Sequence, residues 1–127
     1  MNYRITIPGR LPNLNDYTKA CRGRKGNILG ALMKSEWQEY IERYIPQGMK
    51  HKPIKGKVRL VYSWFEPDAR RDIDNISGFG HKIIQDALVA AGVLEDDDQK
   101  HVIGYTDDFY VDKHRPRIEL IIEVNDE

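Results

Sequence analysis

The chain predicts a single α+β domain: a mixed β-sheet of about four strands carrying two helices. Two kinds of periodicity lead there. Apolar residues alternate with polar ones near residues 3–7, 58–65 and 116–124, as a half-buried strand requires, and recur at three- and four-residue steps near 29–44 and 75–91, as an amphipathic helix requires. A further strand over 102–111 completes the order β-α-β-α-β-β. At 127 residues the chain is long enough for one hydrophobic core and short for two, so one site per chain is expected.

The first strand rests on Tyr3, Ile5 and Ile7 and stops at Pro8-Gly9. A polar loop with Pro12, Asn13, Asn15 and Asp16 follows, and residues 17 to 28, with Lys19, Arg22, Arg24 and Lys25 and no clear period, read as a mobile basic arm. Met33, Trp37, Tyr40, Ile41 and Tyr44 define the first helix, which Pro46 ends. In the next strand Val58, Leu60, Tyr62 and Trp64 alternate while Val61 and Phe65 are apolar on the other parity, so a central strand covered on both faces is expected. The second helix takes its stripe from Ile76, Gly80, Ile83, Ala87 and Ala90, widened by Ile84 and Leu88, with Gly92 as its stop. Ile118, Leu120, Ile122 and Val124 alternate strictly in the last strand.

With 40% apolar and 31% charged residues the composition is that of a globular protein, and no apolar run approaches the ~20 residues of a membrane helix. The start of the chain reads as a strand and not as a secretory signal, and Cys21 is the lone cysteine, so a reducing, cytoplasmic setting is expected. The net charge of zero hides a division. Residues 1–60 hold 13 Lys+Arg against 4 Asp+Glu, and residues 61–127 hold 7 against 16. A basic half suits a polyanion and an acidic half suits cations; alternatively, folding mixes the two into an ordinary surface.

The densest chemistry lies between Arg70 and Asp98: Arg70-Arg71-Asp72-Ile73-Asp74-Asn75, then Lys82 and Asp86, then Glu95-Asp96-Asp97-Asp98. Asp72 and Asp74, two apart in extended backbone, leave one face and can share a cation. Helical spacing sets Asn75, Lys82 and Asp86 on one line, and Asp97 is expected to fold back as a third carboxylate. Carboxylates without nearby cysteine or paired histidine select Mg²⁺ or Mn²⁺ over zinc. Lys82 would then neutralise charge on a scissile phosphate, and Arg70 and Arg71 would hold neighbouring phosphates. Simpler roles compete: Asp74 as a helix cap, Lys82 with Asp86 as an exposed ion pair, and the acidic run as a turn.

Taken in order, Ile7-Pro8-Gly9-Arg10-Leu11-Pro12, Asp72-x-Asp74-Asn75, Lys82-x-x-x-Asp86-Ala87-Leu88, Ala91-Gly92 and Asp-Asp before Asp98-Gln99 resemble the RusA-type Holliday junction resolvases. The resemblance implies a magnesium-dependent endonuclease, with manganese able to substitute, acting as a homodimer that nicks four-way DNA junctions on two opposed strands. It implies Asp72, Asp74 and Asp97 as metal ligands and Lys82 as the catalytic lysine, with Asn75 and Asp86 in support. Lys19, Arg22, Arg24, Lys25, Arg70 and Arg71 are the expected DNA contacts, with the connector lysines of residues 50–57 beside them. In the family the lysine follows the second aspartate by about one helical turn, whereas Lys82 follows Asp74 by eight residues.

Overall fold

Four strands form one sheet in the order β1-β4-β2-β3, with β1 spanning Asn2–Pro8, β2 Lys57–Glu66, β3 Val102–Val111 and β4 Arg117–Asn125. The computed structural model describes residues 2–22 and 25–125, with only the backbone of residues 26 and 27. β4 pairs antiparallel with both β1 and β2, whereas β2 and β3 run parallel. The sheet is therefore mixed, and its parallel pair is joined by a helix, α3 (Ile73–Ala90), as a parallel connection requires. The domain is α+β, as expected, and among the described residues no helix is long and apolar enough to cross a membrane.

Three helices, not two, accompany the sheet: α1 (Leu14–Ala20) and α2 (Gly26–Glu42) precede α3. Of the region read as a mobile basic arm, residues 17–20 and 26–28 are thus helical. Asn13 starts α1 with a capping box: its side chain accepts from the Asp16 amide at 2.8 Å while the Asp16 carboxylate accepts from the Asn13 amide at 3.1 Å. That signal, N-x-x-D, lay inside what composition alone marked as loop. A single 3₁₀ turn (Gln47–Met49) follows α2 in the connector to β2.

Alternation decides which sheet face is buried. Ile5, Ile7, Leu60, Tyr62, Trp64, Ile118, Leu120 and Ile122 point inward and are almost fully buried with the apolar stripe of α3, from Ile76 to Leu88. β2 is an interior strand, but Val61 and Phe65 on its other face are only half-buried, so the expected cover on both faces is wrong. Phe65 packs within the sheet instead: its ring stacks on Tyr110 at 4.8 Å and carries the Arg117 guanidinium 3.8 Å from its centre.

Helix α3 ends as its sequence demands. Gly92 takes φ +73°, and the amides of Gly92 and Val93 bond back to Val89 and Leu88 at 3.0 and 2.9 Å, closing the last turn. Midway along, Gly80 lets the helix approach Trp64: a Cβ there would lie 2.4 Å from the indole Cη2. Gly80→Ala should cost about 1–2 kcal/mol, because overpacking against a buried ring outweighs the roughly 1 kcal/mol that Ala gains over Gly in a helix. Gly48→Ala, where a Cβ meets nothing within 4 Å, should shift stability by no more than about 0.5 kcal/mol. Paired urea denaturation curves measure both.

Candidate metal and nucleic-acid site

Because α3 returns antiparallel to β2, its N-terminus sits at the carboxyl end of the β2/β3 pair, where α/β sheets commonly take ligands. A cleft of about 660 Å³ opens there, lined by Arg71, Asp72, Ile73, Asp74 and Asn75. Asp72 occupies the N-cap position with extended backbone (φ −66°, ψ 142°), but its carboxylate accepts no backbone N–H. Asp74 lies in the first turn. The cap therefore belongs to Asp72 and not to Asp74, and neither carboxylate is consumed by it. Both are exposed, and neither meets a hydrogen-bonding or ionic partner among the described residues. Two free carboxylates beside the positive end of a helix form a hard oxygen donor set suited to Mg²⁺ or Mn²⁺.

Arg71 holds this corner together. Its guanidinium Nη1 donates to the Leu11 carbonyl at 2.9 Å and lies 3.7 Å from Glu66, while Nη2 lies 3.9 Å from Asp16. Glu66, the last residue of β2, is 5% exposed, and Arg10 reaches the same carboxylate at 3.5 Å. Arg71 thus joins the loop after β1, the start of α1, the end of β2 and the start of α3. It is a clamp, and the expected phosphate contact falls to Arg70 alone, whose side chain is 89% exposed with only Asp68 near it at 3.9 Å.

Asp97 follows α3 in the chain. It lies in the loop from α3 to β3, which starts at the far end of a helix of 18 residues. The structure does not group it with Asp72 and Asp74. Among the described residues no three His, Cys, Asp or Glu side chains form a cluster able to hold a metal ion. Within its loop Asp97 is nonetheless distinct from its neighbour: Asp96 Oδ1 accepts the Asp97 amide at 2.7 Å, so Asp96 serves the turn, while the half-buried Asp97 carboxylate makes no such bond. It bears on Tyr62. Burial first, opposed by the Gln85 bond, and then Asp107, Tyr105 and Asp97 hold the Tyr62 hydroxyl well above the ordinary tyrosine range.

Lys82 is exposed and donates to Asp86 at 3.1 Å, and Lys34 of α2 reaches the other Asp86 oxygen at 3.9 Å. The i,i+4 pair weighed against a catalytic lysine is therefore present. Asn75 is half-buried at the third position of α3. Lys19, Arg22 and Lys25 are exposed and make no ion pair with a described residue; Arg24 lies outside the described residues. Folding mixes part of the charge division, since Arg4–Glu119, Arg10–Glu66 and Lys34–Asp86 join the halves, yet Lys19, Arg22, Lys25 and the connector lysines Lys52 and Lys55 pair with no described residue.

Sequence reasoning missed Glu66 and a second pair, His81 with Asp107. Asp107 Oδ1 accepts from the Trp64 indole at 2.8 Å and from His81 Nε2 at 2.7 Å, which sets the proton on Nε2. A signal for both acids was present. Glu66 shares the inward parity of Tyr62 and Trp64, and Asp107 that of Tyr105 and Phe109, so each is a carboxylate on an apolar face.

No protein-family model matches the chain, and no curated protein matches it in sequence.

The acidic loop has a titration of its own. Hydrogen bonding from His101, at 2.6 Å, lowers the Asp98 carboxyl, and the same bond raises His101 above its ordinary 6.5, with Glu95 at 3.4 Å adding to it. The His101 contribution is complete below 6.5 and fades as pH rises through its raised value, while that of Asp98 fades as pH falls through its lowered value. Proton NMR should show His101 titrating above 6.5, and Asp98→Asn should move that midpoint down.

Proposed function

We propose that the chain is a magnesium-dependent endodeoxyribonuclease that resolves four-way DNA junctions by paired nicks. The single observation carrying this is the pair of uncommitted carboxylates, Asp72 and Asp74, opening onto one cleft at the start of α3. The ordered motifs shared with RusA-type resolvases, including D-x-D-N and K-x-x-x-D-A-L, support the substrate. Asp72 and Asp74 would hold Mg²⁺, or Mn²⁺ in its place, with Asp97 as the third carboxylate once its loop folds back towards the start of α3. Bound there, the ion supplies an activated water and charge stabilisation for in-line hydrolysis, leaving 5′-phosphate and 3′-hydroxyl ends.

The chain's own groups do the rest. Lys82, released from Asp86, neutralises charge on the scissile phosphate, and Arg70 holds a neighbouring one. The exposed cations Lys19, Arg22 and Lys25, with Arg24 between them in sequence, bind backbone further along, so affinity falls steeply with salt. Two copies related by a two-fold axis match the near two-fold symmetry of a junction, which explains paired incision by a cytoplasmic homodimer.

A second reading, a catalytically silent DNA-binding recombination accessory, draws on the absence of a three-ligand cluster among the described residues. A third keeps the chemistry but drops the junction preference. Cutting of a synthetic four-way junction, a flap and a duplex of the same sequence separates all three. The junction should be cut fastest; equal rates on all substrates contradict junction resolution, and no product in magnesium or manganese contradicts the enzyme. Asp72→Asn and Asp74→Asn should each lower cutting by more than about 100-fold, since even outer-shell partners of metal ligands are worth roughly 10–100-fold. Junction binding, read by gel shift, should persist or tighten as negative charge is removed.

A further inference from the structure

A smaller pocket of about 180 Å³ adjoins the acidic cleft, sharing Arg71 and Ile73 with it. Its other walls include Glu66, Ile76, Phe109 and Tyr110. Both arginines that meet Glu66 approach the same oxygen: Arg10 Nη1 lies 3.5 Å and Arg71 Nη1 3.7 Å from Oε1. Oε2 accepts no hydrogen bond from a described residue, although the Glu66 side chain is only 7% exposed. It is not sealed in either, because no buried side-chain oxygen or nitrogen among the described residues lacks a partner. A nearly buried acceptor therefore faces open space, and the pocket that Glu66 lines is the space beside it.

The chemistry of the occupant follows. Arg10 and Arg71 already compensate the charge of Glu66, so its carboxylate calls for no further cation, although Asp68 also lines the pocket. Oε2 instead calls for a neutral N–H donor. Ile73, Ile76 and Phe109 call for an apolar, flat body, and Ile73 is 56% exposed at the pocket mouth with nothing yet covering it. A pocket of 180 Å³ falls below the ~300–1,000 Å³ of sites that enclose whole small ligands, so it takes a ring system and leaves any attached sugar and phosphate outside. The adjoining cleft is where the phosphate would lie.

We infer that this pocket receives a nucleobase of the strand held in the acidic cleft, its exocyclic amino group donating to Glu66 Oε2 and its face packed on Phe109 and Ile73. The inference rests on the nuclease reading above and adds a source of selectivity to it. Turning a base out of a duplex costs a few kcal/mol, and least where it is already weakly stacked or unpaired. Branch points offer such bases. Adenine, cytosine and guanine offer an exocyclic amino group, whereas thymine offers only its ring N3–H.

The test uses the full chain with four-way junctions carrying 2-aminopurine at successive positions about the branch, in EDTA so that nothing is cut. One position should change its fluorescence at least twofold on binding, and Ile73→Ala and Phe109→Ala should abolish that change and weaken junction binding roughly tenfold, within the range measured for loss of one base stack. Ile73 is exposed, so its variant decides the matter even where Phe109→Ala fails to fold. Thymine at the responding position should weaken binding, and Glu66→Gln should reduce that discrimination. Junction binding with no responding position, or a response unmoved by Ile73→Ala, overturns the base pocket. Cutting of the same junction in magnesium is read separately: product without a fluorescence response sinks the pocket and leaves the nuclease standing, whereas a response without product upholds the pocket on a silent binder.

Discussion

The Arg71 clamp is the interaction on which the site depends. One guanidinium meets a carbonyl from the loop after β1, a carboxylate at the end of β2 and another at the start of α1, and the next residue in the chain is Asp72. Glu66 makes the clamp hold. A carboxylate with a side-chain exposure of 7% cannot stay charged without compensation, and the two arginines around it provide that compensation at the point where three chain segments meet. Removing Glu66 would leave the Arg71 guanidinium, 15% exposed, with only Asp16 at 3.9 Å to balance it. The mouth of α3 is thereby held by its neighbours, and the exposed carboxylates of Asp72 and Asp74 project from a supported backbone.

The sheet sets the second constraint. Because β2 and β3 are parallel, α3 must cross between them, and its two ends are separated by the length of the crossover. Asp72 and Asp74 occupy the end at the carboxyl side of β2; the acidic loop leaves from the other. Eighteen residues of helix correspond to about 27 Å of axis. The charge of Asp97 acts on Tyr62 in the middle of β2, and among the described residues no three-ligand cluster joins it to the first two aspartates. The same helix carries His81 to Asp107 and Trp64, an internal polar contact that ties the edge strand to α3.

Much of the fold was legible because period-2 and period-3.6 patterns translate directly into buried faces. The stripe from Ile76 to Leu88, the alternation from Ile118 to Ile122 and the stop at Gly92 all stand as expected. α1 was missed because none of its seven residues is fully buried and Tyr17 alone packs against the core, which leaves no hydrophobic period; only the Asn13 and Asp16 cap betrayed it. The paired acids Glu66 and Asp107 were missed for a related reason. Motif reasoning looks for carboxylates in polar runs, whereas these stand singly on apolar faces and their importance depends on Arg71, Trp64 and His81 arriving from distant positions. Asp72 and Asp74 were legible as a pair because two residues of local backbone place them, while the position of Asp97 depends on the path of a whole loop.

Anomalous diffraction from crystals of the chain soaked in Mn²⁺ tests the central claim most directly. A manganese peak bonded to the carboxylates of Asp72 and Asp74, in the cleft at the start of α3, is the result expected. Peaks confined to the 95–98 loop, or none at all with both side chains ordered at high manganese, would contradict it.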